Sequence, residues 1–344
     1  MSFKAALIDR NLDTVPKWVP GALANEGIDL VAKRCQTNEE MIEIAKDADI
    51  LWVYGGTRLA TKENMSQLTN CRAAIRSGSG VDVIDVDGAT ELGMVVVNVP
   101  HAHNDAVSDH TIALLFSMGR YIIPQDKLCR TEEWSSPRRH EFLPFWRLRE
   151  KTIGLLGFGL IPRYVVKKLS GFEPNWLAYD PYVDDATLAE HGVERTELDD
   201  LLQRSDIVSV HTPLTNATRH LIGERELKLM KSDALLINTA RGPVIEEAAL
   251  VRALTENWIR GAGLDVFEVE PTTPDNPLMA LDNVVVTPHT AGFSDESVEL
   301  TWRLSVEACI DLKAGVYPRS YVNKSVTPRV PMQTKTHGEI YTPA

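Results

Sequence analysis

The sequence predicts an α/β protein built from two doubly wound domains. Three observations carry this reading: short apolar runs alternate with helix-length segments, the alternation occurs twice, and polar residues follow the runs. A length of 344 residues also favours two cores over one.

In the first alternation, Lys4–Ile8, Ile28–Ala32, Ile50–Tyr54, Ala73–Arg76 and Met94–Val97 have the length and composition of strands. Asn38–Lys46 spaces Met41, Ile42, Ile44 and Ala45 as a helix does, with Thr37 or Asn38 placed as its N-cap. Asn104–Tyr121 reads as one long helix, with Val107, Thr111, Leu114, Leu115 and Met118 on one face. Leu128–Arg149 is charged and aromatic. Its Trp134, Pro137, Arg138, Arg139, Pro144 and Trp146 suit an excursion or partner surface better than a core. The second alternation begins at Thr152, with strand candidates at Ile153–Leu156, Trp176–Tyr179, Ile207–Val210, Leu235–Ile237, Ala262–Leu264 and Val284–Val286. Glu246–Asn257 and Glu299–Lys313 read as helices, and the polar stretch from Pro328 as a loosely held tail.

A hydrophobic content of 44% with mixed charge describes a globular chain. The net charge of −12 disfavours nonspecific contact with nucleic acid or anionic membrane, and requires local positive charge wherever an anion binds. No apolar run approaches membrane-spanning length, and Met1–Arg10 lacks the features of a signal peptide. Cys35, Cys71, Cys129 and Cys309 show no metal-ligand spacing, so free thiols in a reducing cytoplasm, with no bound metal, are expected.

Gly157–Phe158–Gly159–Leu160–Ile161–Pro162 follows a strand candidate and opens a helix candidate, and Asp180 ends the next strand about 20 residues on. The first glycine permits the tight turn. The second lets backbone N–H groups at a helix N-terminus approach a pyrophosphate. Asp180 would accept hydrogen bonds from ribose hydroxyls and repel a 2′-phosphate, so NAD is the expected cofactor. Pro162 replaces the third glycine; in the first helical turn proline loses no hydrogen bond.

Gly157, Asp180, His211, Asn238, Asp265 and His289 all fall at the same end of their strands, the end at which open α/β sheets bind ligands. Arg241, Glu270 and His289 form a second set at that rim. His289 can exchange a proton near neutrality, and Glu270 would orient the ring and favour its protonated form. Arg241 can grip a carboxylate with its planar fork. Taken alone, the trio is compatible with hydrolysis, group transfer or a structural role. Beside the Gly157 turn it fits protonation of a 2-keto acid as hydride arrives. In the first half, Arg76–Asp82 and Tyr54–Thr57 follow strand candidates and could be anion nests or tight turns.

Over Ile50–Asn323 the chain resembles the D-isomer-specific 2-hydroxyacid dehydrogenases. The resemblance is carried by Arg76–Asp82, Asn98–Pro100, the Gly157 turn, His211–Thr215, Asn238–Gly242, Glu268–Pro271 and Thr287–Gly292. It implies a flavodoxin-like substrate domain, residues 1–101 with 300–344, and an inserted NAD(P)-binding Rossmann domain, residues 102–299, in a homodimer. It also implies Arg241, Glu270 and His289 as catalytic residues. Gly157, Gly159, Leu160, Ile161, Asp180, His211, Thr212, Pro213, Thr218, Thr239, Ala240, Arg241, Asp265, His289 and Gly292 would line the NAD site. Substrate contacts would come from Arg76, Gly78, Ser79, Arg241 and His289. Tyr179–Tyr182 and Tyr321–Lys324 look closest to the C-terminal-binding-protein-like (CtBP-like) branch. Leu160, Pro162, His101, His103 and Gly292 depart from the family pattern.

The expected activity is NAD-dependent interconversion of a 2-keto acid and a D-2-hydroxy acid, with no nucleic-acid or membrane partner. Two rivals remain at this point. One is a D-3-phosphoglycerate dehydrogenase-like enzyme, whose phosphate Arg58, Arg138 or Arg139 would bind; the other is an NADH-sensing, partner-binding protein.

Overall fold

The computed structural model describes residues 2–131 and 145–338. The chain divides into two compact units, Met1–His103 with Ser294–Ala344, and Asn104–Phe293. Each holds one parallel sheet flanked by helices, as the alternation predicts.

In the first unit, β1 (Phe3–Leu7), β2 (Ile28–Ala32), β3 (Ile50–Val53), β4 (Ala73–Arg76) and β5 (Val95–Asn98) pair in the order β2-β1-β3-β4-β5. Side chains alternate across a strand. Ala5, Leu7, Ile50, Trp52, Ala73 and Ile75 accordingly join one core cluster, while Ala6, Ile8, Leu51, Val53 and Ala74 join the other. Burial on both faces is why these strands read as unbroken apolar runs. The helices are α1 (Trp18–Asn25), α2 (Asn38–Ala45), α3 (Lys62–Ser66), α4 (Val86–Glu91) and, from the end of the chain, α12 (Asp295–Lys313). Thr37 Oγ1 accepts the Glu40 N–H at 3.3 Å and so caps α2. Helix α12 starts at Asp295, before the expected Glu299, because Ser294 and Ser297 cap each other's backbone N–H at 3.1 and 2.8 Å. A Ser–Ser pair lacks the Glu or Gln that marks a capping box in sequence.

The stretch from Pro328, expected to be loose, is held as far as Gly338. Arg329 donates to the carbonyls of Leu92, Leu68 and Cys71, and its own N–H bonds Gly93 O. Lys335 Nζ and His337 Nε2 sit 2.9 and 2.8 Å from the two oxygens of buried Asp311. Composition marks the segment as polar; these fixed acceptors make it a strap.

In the second unit, β6 (Thr152–Leu156), β7 (Asn175–Tyr179), β8 (Glu194–Arg195), β9 (Ile207–Val210), β10 (Leu235–Asn238), β11 (Gly261–Leu264) and β12 (Val284–Val286) pair in the order β12-β11-β10-β9-β6-β7-β8. The two-residue exposed edge strand β8 has no apolar pattern and was not expected. Its helices are α5 (Asn104–Gly119), α6 (Ile122–Cys129), α7 (Leu160–Leu169), α8 (Asp185–Glu190), α9 (Leu198–Arg204), α10 (Glu224–Leu229) and α11 (Glu247–Thr255). Leu156, Val208, Val210 and Leu236 face one core; Ile153, Leu155, Ile207 and Ile237 face the other.

Trp146 and Leu148, read as parts of a surface excursion, are buried in that second core beside Leu114 and Met118. Trp134, Pro137, Arg138, Arg139 and Pro144 lie outside the described residues. No helix among the described residues is long and apolar enough to cross a membrane. All four cysteines are unpaired, and burial pushes the Cys35 and Cys71 thiols up to about 11 and about 12.

Candidate active site

The winding of the second sheet reverses between β6 and β9, the position at which open α/β sheets bind ligands outside their strand ends. Gly157 occupies this point with φ +91, and a Cβ on it would lie 3.1–3.2 Å from the His211–Thr212 backbone. Glycine is therefore required by both conformation and close approach. Gly159 begins α7 with open space where a side chain would stand, no side-chain cap and no acidic residue in the first turn. The orphan N–H groups and positive end of that helix suit a phosphate. Thr212 Oγ1 is buried without a partner among the described residues, a polar atom that a bound ligand can satisfy.

Asp180 accepts the Phe158 N–H from the glycine turn at 2.8 Å and the Tyr182 N–H at 2.8 Å. It therefore ties the turn to the end of β7, where a ribose would lie. Leu160 and Ile161 form the first residues of α7, and Pro162 is buried behind them. His211 Nε2 meets Ser209 Oγ at 2.9 Å; desolvation pushes its pKa down to about 3, so the ring is neutral. Thr218 Oγ1 donates to Pro213 O at 2.6 Å and closes the next loop.

The strand ends β10, β11 and β12 bring the three candidate catalytic residues to one edge. Asn238 shapes the first turn, accepting the Ala240 N–H and donating to Arg241 O, each at 3.0 Å. Thr239 Oγ1 bonds Thr111 Oγ1 at 2.8 Å. Arg241 donates to Ala240 O at 2.7 Å. Gly242 follows with its Cα against the next loop: a Cβ would fall 1.9 Å from the Phe267 carbonyl.

That next loop carries Glu270, whose Oε1 accepts the Phe267 N–H at 2.9 Å and whose Oε2 lies 2.6 Å from His289 Nδ1. Burial would raise the Glu270 pKa. The hydrogen bonds from His289 and Phe267, with the nearby charges of His289 and Arg241, outweigh it and hold the carboxyl below the usual range. The carboxylate fixes a proton on Nδ1 and leaves Nε2 as the nitrogen able to exchange one.

His289 stands at φ +54, and Asp265 holds the loop around it. Asp265 is fully buried and accepts from Thr287 Oγ1 at 2.5 Å, Thr290 N at 2.9 Å and Ala291 N at 2.8 Å. In this structure Asp265 acts on the site through that loop. Sequence reasoning missed His110, whose Nε2 meets Thr287 Oγ1 at 2.8 Å across 177 residues. A histidine inside a helix pattern gives no local sign of such a partner. Gly292 follows the same loop, partly exposed.

In the first unit, Arg76 ends β4 and donates to Tyr54 O and Ser77 O, each at 2.6 Å. Gly78 follows, and its carbonyl accepts the Val99 N–H at 2.9 Å; Ser79 Oγ donates to Pro100 O at 3.1 Å. The Tyr54 and Gly55 N–H groups donate to Asp9, so a carboxylate of the chain itself takes the first part of the Tyr54–Thr57 turn. His103 contacts Thr301 Oγ1 at 3.2 Å, and His101 is held below its usual pKa by desolvation and by Arg319.

Fold and site together define a dinucleotide-dependent oxidoreductase. More narrowly, the chain belongs to the D-isomer specific 2-hydroxyacid dehydrogenase family, whose NAD-binding domain matches residues 112–291. It is an NAD-dependent 2-hydroxyacid dehydrogenase. It is 40% identical to a glyoxylate reductase of Thermofilum pendens over 86% of this chain and 88% of that one. It is 38% identical to a D-3-phosphoglycerate dehydrogenase of Methanocaldococcus jannaschii, of which it spans 55%. The D-lactate dehydrogenase of Aquifex aeolicus, solved with NAD and lactic acid, superposes with a TM-score of 0.79 at 27% identity over 90% of this chain and 96% of that one. These matches identify the family and not a branch within it.

Proposed function

We propose that the protein reduces a small 2-keto acid to the D-2-hydroxy acid with NADH, and runs the reverse reaction with NAD. The observation that carries the reading is the 2.6 Å contact of Glu270 with His289 Nδ1 at the edge that also holds Arg241. The cofactor supplies or accepts the hydride at C2. Arg241 holds the substrate carboxylate with its fork and draws electron density from the adjacent carbonyl. His289 Nε2 gives its proton to the carbonyl oxygen and recovers it in reverse, while Glu270 offsets the positive charge on the ring.

The open N-terminus of α7, the Gly157–Gly159 turn and Asp180 support the cofactor contacts proposed here. These extend to Leu160, Ile161, His211, Thr212, Pro213, Thr218, Thr239, Ala240, Asp265 and Gly292. Substrate contacts from Arg76, Gly78 and Ser79, a homodimer and a cytoplasmic location belong to the same proposal. Three buried unpaired cysteines support a reducing compartment.

Likeness to a glyoxylate reductase over most of both chains makes glyoxylate the first substrate to try. The test is NADH oxidation with glyoxylate, hydroxypyruvate, pyruvate and 3-phosphohydroxypyruvate. Turnover that is lost in His289→Ala supports the proposal. No turnover with any keto acid, or an unimpaired variant, overturns it. NADH-dependent partner capture without turnover would favour a sensor.

A further inference from the structure

The carboxylate that orients His289 stands on an irregular loop, so its aim must be fixed by contacts of that loop. Glu270 lies between β11 and the short helical turn that starts at Pro277, and its Oε1 accepts the Phe267 N–H at 2.9 Å. The direction of Glu270 therefore follows the turn 267–270. That turn is clamped at Glu268 from both sides. The Glu268 N–H donates to Glu247 Oε2 at 2.9 Å, and the Glu247 N–H, at the start of α11, donates to Glu268 Oε2 at 3.0 Å. Glu247 Oε1 also accepts from Asn276 Nδ2 at 2.8 Å, which closes the far end of the loop.

His220 adds a tie that reaches further. Its Nε2 lies 2.6 Å from Glu268 Oε1, so the imidazole donates to the carboxylate oxygen that α11 leaves open. Its backbone N–H donates to Pro243 O at 2.8 Å, two residues after Arg241. One residue of the loop after β9 thus holds the loop after β10, which carries Arg241, and the loop after β11, which carries Glu270. His220 does this at φ +53, in the left-handed region that residues other than glycine rarely adopt. Such a conformation persists only where the surroundings enforce it, and it recurs where geometry serves function. The two side chains are 41% and 28% exposed, and pairs as wet as this contribute little to overall stability.

We propose that His220, acting through Glu268, is a positioning residue for the catalytic pair. It fixes the spacing of the Arg241 and Glu270 loops, and with it the aim of Glu270 at His289 Nδ1. This role presupposes that Glu270 and His289 act as proposed. Neither His220 nor Glu268 is assigned to substrate, cofactor or proton transfer, yet a catalytic group displaced by about 1 Å can lose about a hundredfold in rate. Asparagine tolerates the left-handed backbone but is too short to reach Glu268. Glutamine can place an amide N–H where the histidine Nε2 stands.

Steady-state NADH oxidation, with a keto acid that the native protein turns over, tests this beside direct NADH binding. The proteins are His220→Asn, His220→Gln, Glu268→Gln, Glu270→Gln and the His220→Asn/Glu270→Gln double variant. The expected result is a kcat about tenfold lower in His220→Asn, with NADH affinity within twofold of native. His220→Gln keeps at least half the native kcat. Glu268→Gln, left with one oxygen for two donors, loses about as much as His220→Asn. Because His220 acts through Glu270, adding His220→Asn to Glu270→Gln lowers kcat by less than twofold more. A native-like kcat in His220→Asn and Glu268→Gln, beside an impaired Glu270→Gln, overturns the positioning role alone. So does a further tenfold loss in the double variant, or His220→Gln as slow as His220→Asn. NADH binding lost in proportion to turnover marks a merely structural residue and overturns it as well. If Glu270→Gln is itself unimpaired, the catalytic assignment falls and the positioning role with it.

Discussion

Replacing Glu270 by glutamine isolates the charge that faces His289 while nearly preserving shape. The carboxylate oxygen lies 2.6 Å from Nδ1, and the side chains are 33% and 48% exposed, so the pair is neither dry nor fully solvated. Two unit charges about 4 Å apart attract by about 4 kcal/mol at an effective dielectric of 20 and about 1 kcal/mol in bulk water. Half-exposure places this pair between those limits, at about 2 kcal/mol. That attraction favours the charged ring from which the carbonyl oxygen takes its proton, so its loss should slow keto-acid reduction. The glutamine carbonyl can still accept the Phe267 N–H. Its amide then presents a donor to Nδ1 and favours the wrong tautomer, which should lower kcat at neutral pH by about a hundredfold or more. Native Glu270 is held below the usual carboxylate range, so the contact adds stability above that range and loses it as pH falls through the depressed value. The assay is initial-rate NADH oxidation from acid to alkaline pH for both proteins. An unchanged kcat would refute the assigned role of Glu270.

Gly242→Ala forces a Cβ to within 1.9 Å of the Phe267 carbonyl, which links the Arg241 and Glu270 loops. A loss of about 3 kcal/mol in urea unfolding, together with most activity, is expected; native-like stability would contradict the close approach. Asp180→Ala should reduce the NAD-over-NADP preference in kcat/KM by about tenfold, and unchanged selectivity would remove Asp180 from its role. Arg329→Ala removes a guanidinium from three backbone carbonyls and should cost the first unit about 2–4 kcal/mol by denaturant titration. A change below about 0.5 kcal/mol would show that the strap is not held as described.

Most of the framework was legible because its strands are buried on both faces. Ile28–Ala32 and Ile207–Val210 run between the predicted residues, since unbroken apolar runs bounded by polar turns have few other readings. Contacts distant in sequence were not legible. Trp146 and Leu148 stand in a charged segment and bury themselves on a core supplied by Leu114 and Met118. Arg329 looked like part of a free tail because its partners are backbone carbonyls, which carry no side-chain signature. Within the site, residue types at strand ends pointed to Arg241, Glu270 and His289 together. The Asp265, Thr287 and His110 interactions that hold the His289 loop required coordinates.

The most direct measurement is a single turnover with NADH deuterated at the transferring position and hydroxypyruvate as acceptor, followed by chiral analysis of the glycerate. The expected result is D-glycerate carrying deuterium at C2 from the native protein, and almost none from His289→Ala. Product of the L configuration, product without deuterium at C2, or equal yield from the variant would contradict it.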